Sequence, residues 1–139
     1  MMSPLVVPAS GLQFDSDLVT TYNGSVFTGV AFEDLGLLGR SEVSYVDGRQ
    51  EGVAKDWYPS GAIKVIARYV DGTLHGLLQE FSESGVLEQE SRYAYGICVW
   101  RRAVDPSGDL SEEEHIDLES EVGRLLVDLR RELDWPEDH

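Results

Sequence analysis

A mainly β fold, a meandering antiparallel sheet of repeated β-hairpins followed by a C-terminal amphipathic α-helix, is what this chain predicts. Three observations predict it. Gly24, Gly48, Gly72 and Gly96 stand 24 residues apart, each preceded at two or three places by a tyrosine (Tyr22, Tyr45, Tyr69, Tyr93). A fixed period of this size marks a unit that is copied and stacked because it cannot bury its apolar face alone. Between the glycines lie strand-length runs joined by turn residues, and the last quarter of the chain carries apolar residues at helical spacing.

The first copy runs from Tyr22-Asn23-Gly24 through Gly29 to Tyr45-Val46-Asp47-Gly48. It needs a one-residue shift and has an irregular middle, Asp34-Leu35-Gly36-Leu37-Leu38-Gly39, as expected of a terminal unit that caps a stack. In the next copy Val53 to Tyr58 and Ala62 to Val70 are rich in β-branched and aromatic residues, and Pro59-Ser60-Gly61 joins them with the preset and positive φ of a tight turn. Alternation places Ile63, Val65, Ala67 and Tyr69 on one face and Ala62, Lys64, Ile66 and Arg68 on the other. The following copy keeps the register at plus 24: Trp57 becomes Phe81, Gly61 becomes Gly85, Tyr69 becomes Tyr93. Glu88, Glu90 and Arg92 fall on its second face, and the two glutamates read as cross-strand partners of Lys64 and Arg68. Asp47-Gly48 and Asp71-Gly72 turn the chain into the next hairpin. The expectation is a sheet of roughly six to eight antiparallel strands, whose strand glycines let tyrosine and tryptophan rings lie on neighbouring backbone without a bulge.

Asp105-Pro106-Ser107-Gly108 reads as a linker, and one helix is expected beyond it. Ser111 with Glu114 forms a capping box, while Glu112 and Glu113 suit the positive end of the helix dipole. Leu118, Val122, Leu125, Leu126, Leu129 and Leu133 recur with helical period until Trp135-Pro136 ends the element. Two roles are open for this stripe: sealing a sheet edge, or docking a partner or a second copy. The division is a repeat domain over residues 1–104 and an acidic helix over residues 105–139 that packs on or caps the sheet.

Gly52-Val53-Ala54-Lys55-Asp56-Trp57-Tyr58-Pro59-Ser60-Gly61 and Tyr69-Val70-Asp71-Gly72-Thr73-Leu74-His75-Gly76 resemble the MORN-variant repeat, and the likeness covers about residues 20 to 98. The chain looks most like the bacterial YwqK-family antitoxins, or immunity proteins. That resemblance implies binding and neutralising a cognate toxin encoded alongside. The alternative it leaves open is a MORN-type scaffold or interaction module without a toxin partner. Departures are the irregular Gly29 to Gly39 segment, Ser82 in place of an aromatic, and Trp100 in place of a final glycine.

The chain has 139 residues and a net charge of −15. Asp105 to His139 holds 13 acids against 3 arginines, leaving −5 for the rest. Such a field repels nucleic acid and anionic lipid, draws in a basic protein partner, and also confers solubility. The opening residues lack the positive and apolar stretches of a signal peptide, and the lone Cys98 suits a reducing compartment, so a cytoplasmic location is expected. No cofactor, metal or catalytic set is expected. His75 reads as structural, His115 falls in the first turn of the expected helix, His139 ends the chain, and the glutamate run cannot wrap one ion. Expected contact residues are the aromatics Trp57, Tyr58, Phe81 and Trp100, for which core packing is the competing role. The acids Asp117, Glu121 and Asp128 would steer the partner. Edge-to-edge homodimerisation stays open.

Overall fold

A computed structural model describes residues 5–136; the signal-peptide reading of Met1 to Pro4 and the placement of His139 lie outside them. The chain is a long antiparallel meander of hairpins with one C-terminal helix. The sheet has nine strands. In spatial order these are β1 (Val6–Pro8), β5 (Gly29–Asp34), β6 (Arg40–Val46), β7 (Arg49–Trp57), β8 (Ile63–Val70), β9 (Thr73–Phe81), β10 (Leu87–Ala94), β11 (Ile97–Val104) and β12 (Leu110–His115). A second sheet joins β2 (Leu12–Phe14), β3 (Thr20–Tyr22) and β4 (Ser25–Val26).

Two kinds of turn alternate along the meander. At one rim Asp47-Gly48, Asp71-Gly72 and Tyr95-Gly96, like Asn23-Gly24 in the small sheet, all have both φ values positive, between 48° and 81°. That is the primed hairpin turn whose twist matches the strands it joins. At the other rim the loops Tyr58–Ala62, Ser82–Val86 and Asp105–Asp109 are each closed by a pair of backbone hydrogen bonds. The glycine amides also tie copy to copy: Gly72 donates to Gln50 and Gly96 to Leu74, both 22 residues back, while Gly48 donates to Phe27, 21 back. The difference of one is the shift of the first copy.

Three of the primed turns also have a side-chain acceptor for their first amide. Thr28 Oγ1 takes the Asp47 N–H at 2.8 Å, Glu51 Oε1 takes the Asp71 N–H at 3.0 Å, and His75 Nδ1 takes the Tyr95 N–H at 2.9 Å. Glu51 and His75 are one position of the repeat, 24 residues apart. His75 is therefore a structural turn acceptor before it is anything else.

Several expectations are corrected. The helix does not begin at Ser111; residues 110–115 are strand β12, paired with β11 so that Arg101 faces Glu114 and Arg102 faces Glu113. Consecutive glutamates crowd like charge in a helical turn, whereas in a strand they alternate and lie opposite arginines. Helix α1 is Glu121–Leu133, and Ser120 caps it by accepting the Gly123 N–H at 3.0 Å. β1 joins β5 in parallel, which the meander did not foretell. The strand glycines do accompany bulges: register slips beside Gly52 and Gly76, which have φ of 97° and 128°. Over Gly76 lies the aliphatic part of Arg68, not a ring.

Core is concentrated at the two ends. Val7, Phe27 and Ala31, with Ala9, Leu12, Tyr22 and Tyr45, pack the N-terminal end beneath the small sheet. Ala94, Tyr95 and Leu126, with Ile97, Val99, Ile116, Leu129 and Trp135, pack the C-terminal end beneath α1. A single sheet layer needs such covers because its outermost hairpins have no next copy to lie against.

Candidate functional site

The last copy departs from its predecessors in a way that builds the C-terminal end. Asn23, Asp47 and Asp71 open the earlier turns, but Tyr95 opens the fourth, at φ 54°. A bulky side chain in the left-handed region carries strain. Its return is a grip on the tail: Tyr95 Oη accepts the Trp135 N–H at 3.0 Å and the two rings lie 4.9 Å apart. His75 completes the latch, its ring edge-on to both Tyr95 and Trp135. With Nδ1 accepting, Nε2–H is left to donate to the Pro136 carbonyl at 2.9 Å, which fixes the neutral Nε2–H tautomer.

Held in this way, α1 touches the protein along Gly123, Leu126 and Leu129, with Leu126 fully buried. The apolar stripe read from the sequence is only partly used. Val122, Leu125 and Leu133 remain 52%, 51% and 45% exposed. At 100° per residue the inward line through Gly123, Leu126 and the half-buried Arg130 lies roughly 80° from the centre of the stripe, so the half-buried Leu129 stands at the margin with the core and Val122, Leu125 and Leu133 lie along the open flank. Beside it, on the side away from the sheet, come the exposed carboxylates of Glu121, Asp128 and Glu132. One edge of the stripe packs on the sheet and the other lies open.

Val122 also forms one wall of an open groove of about 460 Å³. Ile97, Val99 and Trp100 line it with Glu114, His115 and Ile116 of the outer strand, the Trp100 ring turning toward Arg102, whose guanidinium lies 5.5 Å from the ring centre. Arg101 reaches Glu114 at 3.0 Å, and His115 Nε2 meets Glu113 at 2.9 Å. Arg102 points to the opposite side, because successive strand residues alternate. There Arg102 pairs with the buried Glu90, which also accepts from Gln79 at 2.7 Å. Glu90 is thus neither solvated nor paired with Lys64 or Arg68; Lys64 Nζ instead lies 5.6 Å from the Tyr58 ring centre. Burial pushes the Tyr93 hydroxyl above its ordinary value, reinforced by Cys98 and Glu80 and opposed by Arg101.

The expected contact residues fall into two groups. Trp100 lines the groove just described, Glu121 and Asp128 lie along its helix, and Asp117 is exposed in the segment leading into that helix. Trp57, Tyr58 and Phe81 stand at the rim of the wider loops. Tyr58 Oη donates to the Phe81 carbonyl at 2.7 Å, stapling neighbouring copies. Trp57 and Tyr58 line a second hollow of about 460 Å³ with Asp34, Arg40 and Glu42. Two strand spacings separate the β9 of Phe81 from the β11 of Trp100 and four separate the β7 of Trp57 from it, roughly 10–20 Å across the sheet. His75, read from the sequence as structural, and Trp135, read only as the helix end, fix the helix together with Tyr95; Tyr95 and Leu37, the latter 94% exposed at the tip of the irregular loop, were not singled out from the sequence. Among the described residues no cluster of histidine, cysteine and carboxylate side chains is placed to hold a metal ion.

The MORN repeat variant matches residues 50–71 and 74–95, the spans of β7 with β8 and of β9 with β10. No curated protein matches the chain. Among solved structures it is similar to a chain of accessory secretory protein 1,2 and 3 in Streptococcus pneumoniae, at 12% identity and a TM-score of 0.41. That alignment covers 84% of this chain and 20% of that one, so the chain spans about a fifth of its neighbour's length. Residues 50–95 thus carry two adjacent matches to the MORN repeat variant, in the register of the observed hairpins, and a repeat of this kind suggests a protein-interaction scaffold.

Proposed function

We propose that the protein is an immunity or antitoxin protein that binds a basic toxin domain and blocks its active cleft by occlusion. The observation that carries this reading is the joining of an open groove of mixed polar and apolar lining, an exposed apolar helix flank and a row of carboxylates at one end of the sheet. Apolar contacts supply affinity, and the field of a chain with net charge −15 speeds encounter with a positive surface. A toxin that acts on nucleic acid has such a surface in its substrate cleft. Tyr58, Trp57 and Phe81, on the far rim, belong to the array's own stapling in this reading, and Trp100 with Asp117, Glu121 and Asp128 to the interface. A cytoplasmic location goes with the role. The coarser alternative, a scaffold with a different basic partner, uses the same surface.

Co-expression separates the two. A toxin domain encoded next to this chain, lethal when expressed alone, becomes harmless when the chain is present and co-purifies with it at one-to-one stoichiometry. Unrelieved lethality, with both proteins soluble, would exclude the immunity role.

A further inference from the structure

We infer that the flank of α1 and the adjoining groove receive a basic amphipathic helix of the partner, laid along Val122, Leu125, Leu129 and Leu133. This rests on the protein-binding reading above and names its mode.

The helix flank has the geometry of one half of a helix pair. Its apolar residues stand at i, i+3, i+7 and i+11, and the carboxylates Glu121, Asp128 and Glu132 at i, i+7 and i+11 run parallel to them. Over eleven residues the row is about 16 Å long, which fits roughly three turns of an opposing helix. Apolar side chains of that helix bury Val122, Leu125 and Leu133, now about half exposed. Lysines or arginines one step round its surface meet the carboxylate row. At the N-terminal end of α1 the groove lined by Ile97, Val99, Ile116 and Val122 offers a place for one larger apolar anchor.

Charge selects the occupant. A second copy would bring Glu121, Asp128 and Glu132 toward its own equivalents, because Arg124 and Arg131 lie behind the carboxylates, one step further round the helix from the apolar row. An anionic membrane would meet the same row together with the exposed Glu112, Glu113 and Glu114 of β12. A basic helix alone satisfies both the apolar row and the acidic one.

The test uses the full chain and a synthetic peptide of roughly 14 residues, leucine and lysine arranged at helical period, with a scrambled peptide of the same composition as control. Calorimetry at low and moderate salt is expected to give one-to-one binding of the periodic peptide and at least tenfold weaker binding of the scrambled one. Val122→Ser with Leu125→Ser weakens the periodic peptide at least tenfold while circular dichroism stays unchanged, because both side chains are already half in water. Glu121→Gln, Asp128→Asn and Glu132→Gln together weaken it about tenfold and flatten the salt dependence. Equal binding of both peptides, unchanged affinity in the serine variant, or a dimer of the free chain that the serine variant dissolves would each overturn the inference. Co-expression distinguishes the two levels: a toxin neutralised equally well by the serine variant leaves the immunity role standing and removes this surface. Peptide binding as expected beside an unrelieved toxin does the reverse.

Discussion

Replacing His75 by phenylalanine tests whether the tail latch works through hydrogen bonds or through ring packing. The ring is 1% exposed and makes two bonds of 2.9 Å, one to the Tyr95 amide and one to the Pro136 carbonyl. Phenylalanine keeps the volume and the aromatic contacts to Tyr95 and Trp135 and removes both nitrogens. The Tyr95 amide belongs to a buried residue, so losing its acceptor costs about 1–3 kcal/mol of desolvation, whereas Pro136 is exposed and its carbonyl recovers water for about 0.5 kcal/mol. The expected loss is about 2–3 kcal/mol, or about 6–12 °C in Tm for a chain of this size. Urea unfolding followed by tryptophan fluorescence measures it, since Trp135 sits in the latch. His75→Gln is the companion variant: like Glu51 in the preceding copy it can still accept the turn amide, and it should recover at least half of the loss. If His75→Phe matches the parent within about 0.5 kcal/mol, the hydrogen-bond account of the latch is wrong and packing alone holds the tail.

Other consequences follow from the same geometry. Leu126→Ala, at the one helix leucine with no exposed surface, should cost about 2–4 kcal/mol in denaturant unfolding, while Leu37→Ser at the exposed loop tip should change stability by less than about 0.5 kcal/mol. Gly48 and Gly72 share φ 79°, but a Cβ on Gly48 would stand 2.3 Å from Val19 Cγ1 and one on Gly72 would meet nothing within 4 Å. Gly72→Ala should therefore cost about 1 kcal/mol and Gly48→Ala clearly more, compared by Tm in parallel. Tyr93 has its folded pKa raised above the ordinary 10.0 by burial. Its contribution is fully present below that value and is lost as pH rises through the folded one, so stability should fall on alkaline titration above pH 10 and fall less in Tyr93→Phe.

Local chemistry made much of the fold legible. Asn-Gly and Asp-Gly at 24-residue spacing need positive φ at both turn positions, and that is a property of the dipeptide wherever it sits. The tail was misread because Ser111 with Glu114 satisfies a capping box as well as it satisfies an edge strand; only the arginines of the strand beside it decide, and pairing across strands is not local. Glu90 was missed for the same reason. In sequence it is one of three charges on a wet face, and in the fold Gln79 and Arg102 close over it from both sides. One signal for the latch was present: the repeat position that reads Glu51 reads His75 in the next copy, an acceptor exchanged for another acceptor.

For the candidate surface the division is sharper. Helical spacing of leucines determined that an apolar stripe would exist, because side-chain direction follows backbone period. Which half of it lies open was decided by the grip of Tyr95 and His75 on Trp135 and Pro136, which rotates the helix so that Leu126 points inward and Leu125 outward. Residues forty and sixty-one positions apart in the chain make those contacts. Period is written along the chain; rotation about the helix axis is set by what the chain meets after folding, and so belongs to tertiary structure alone.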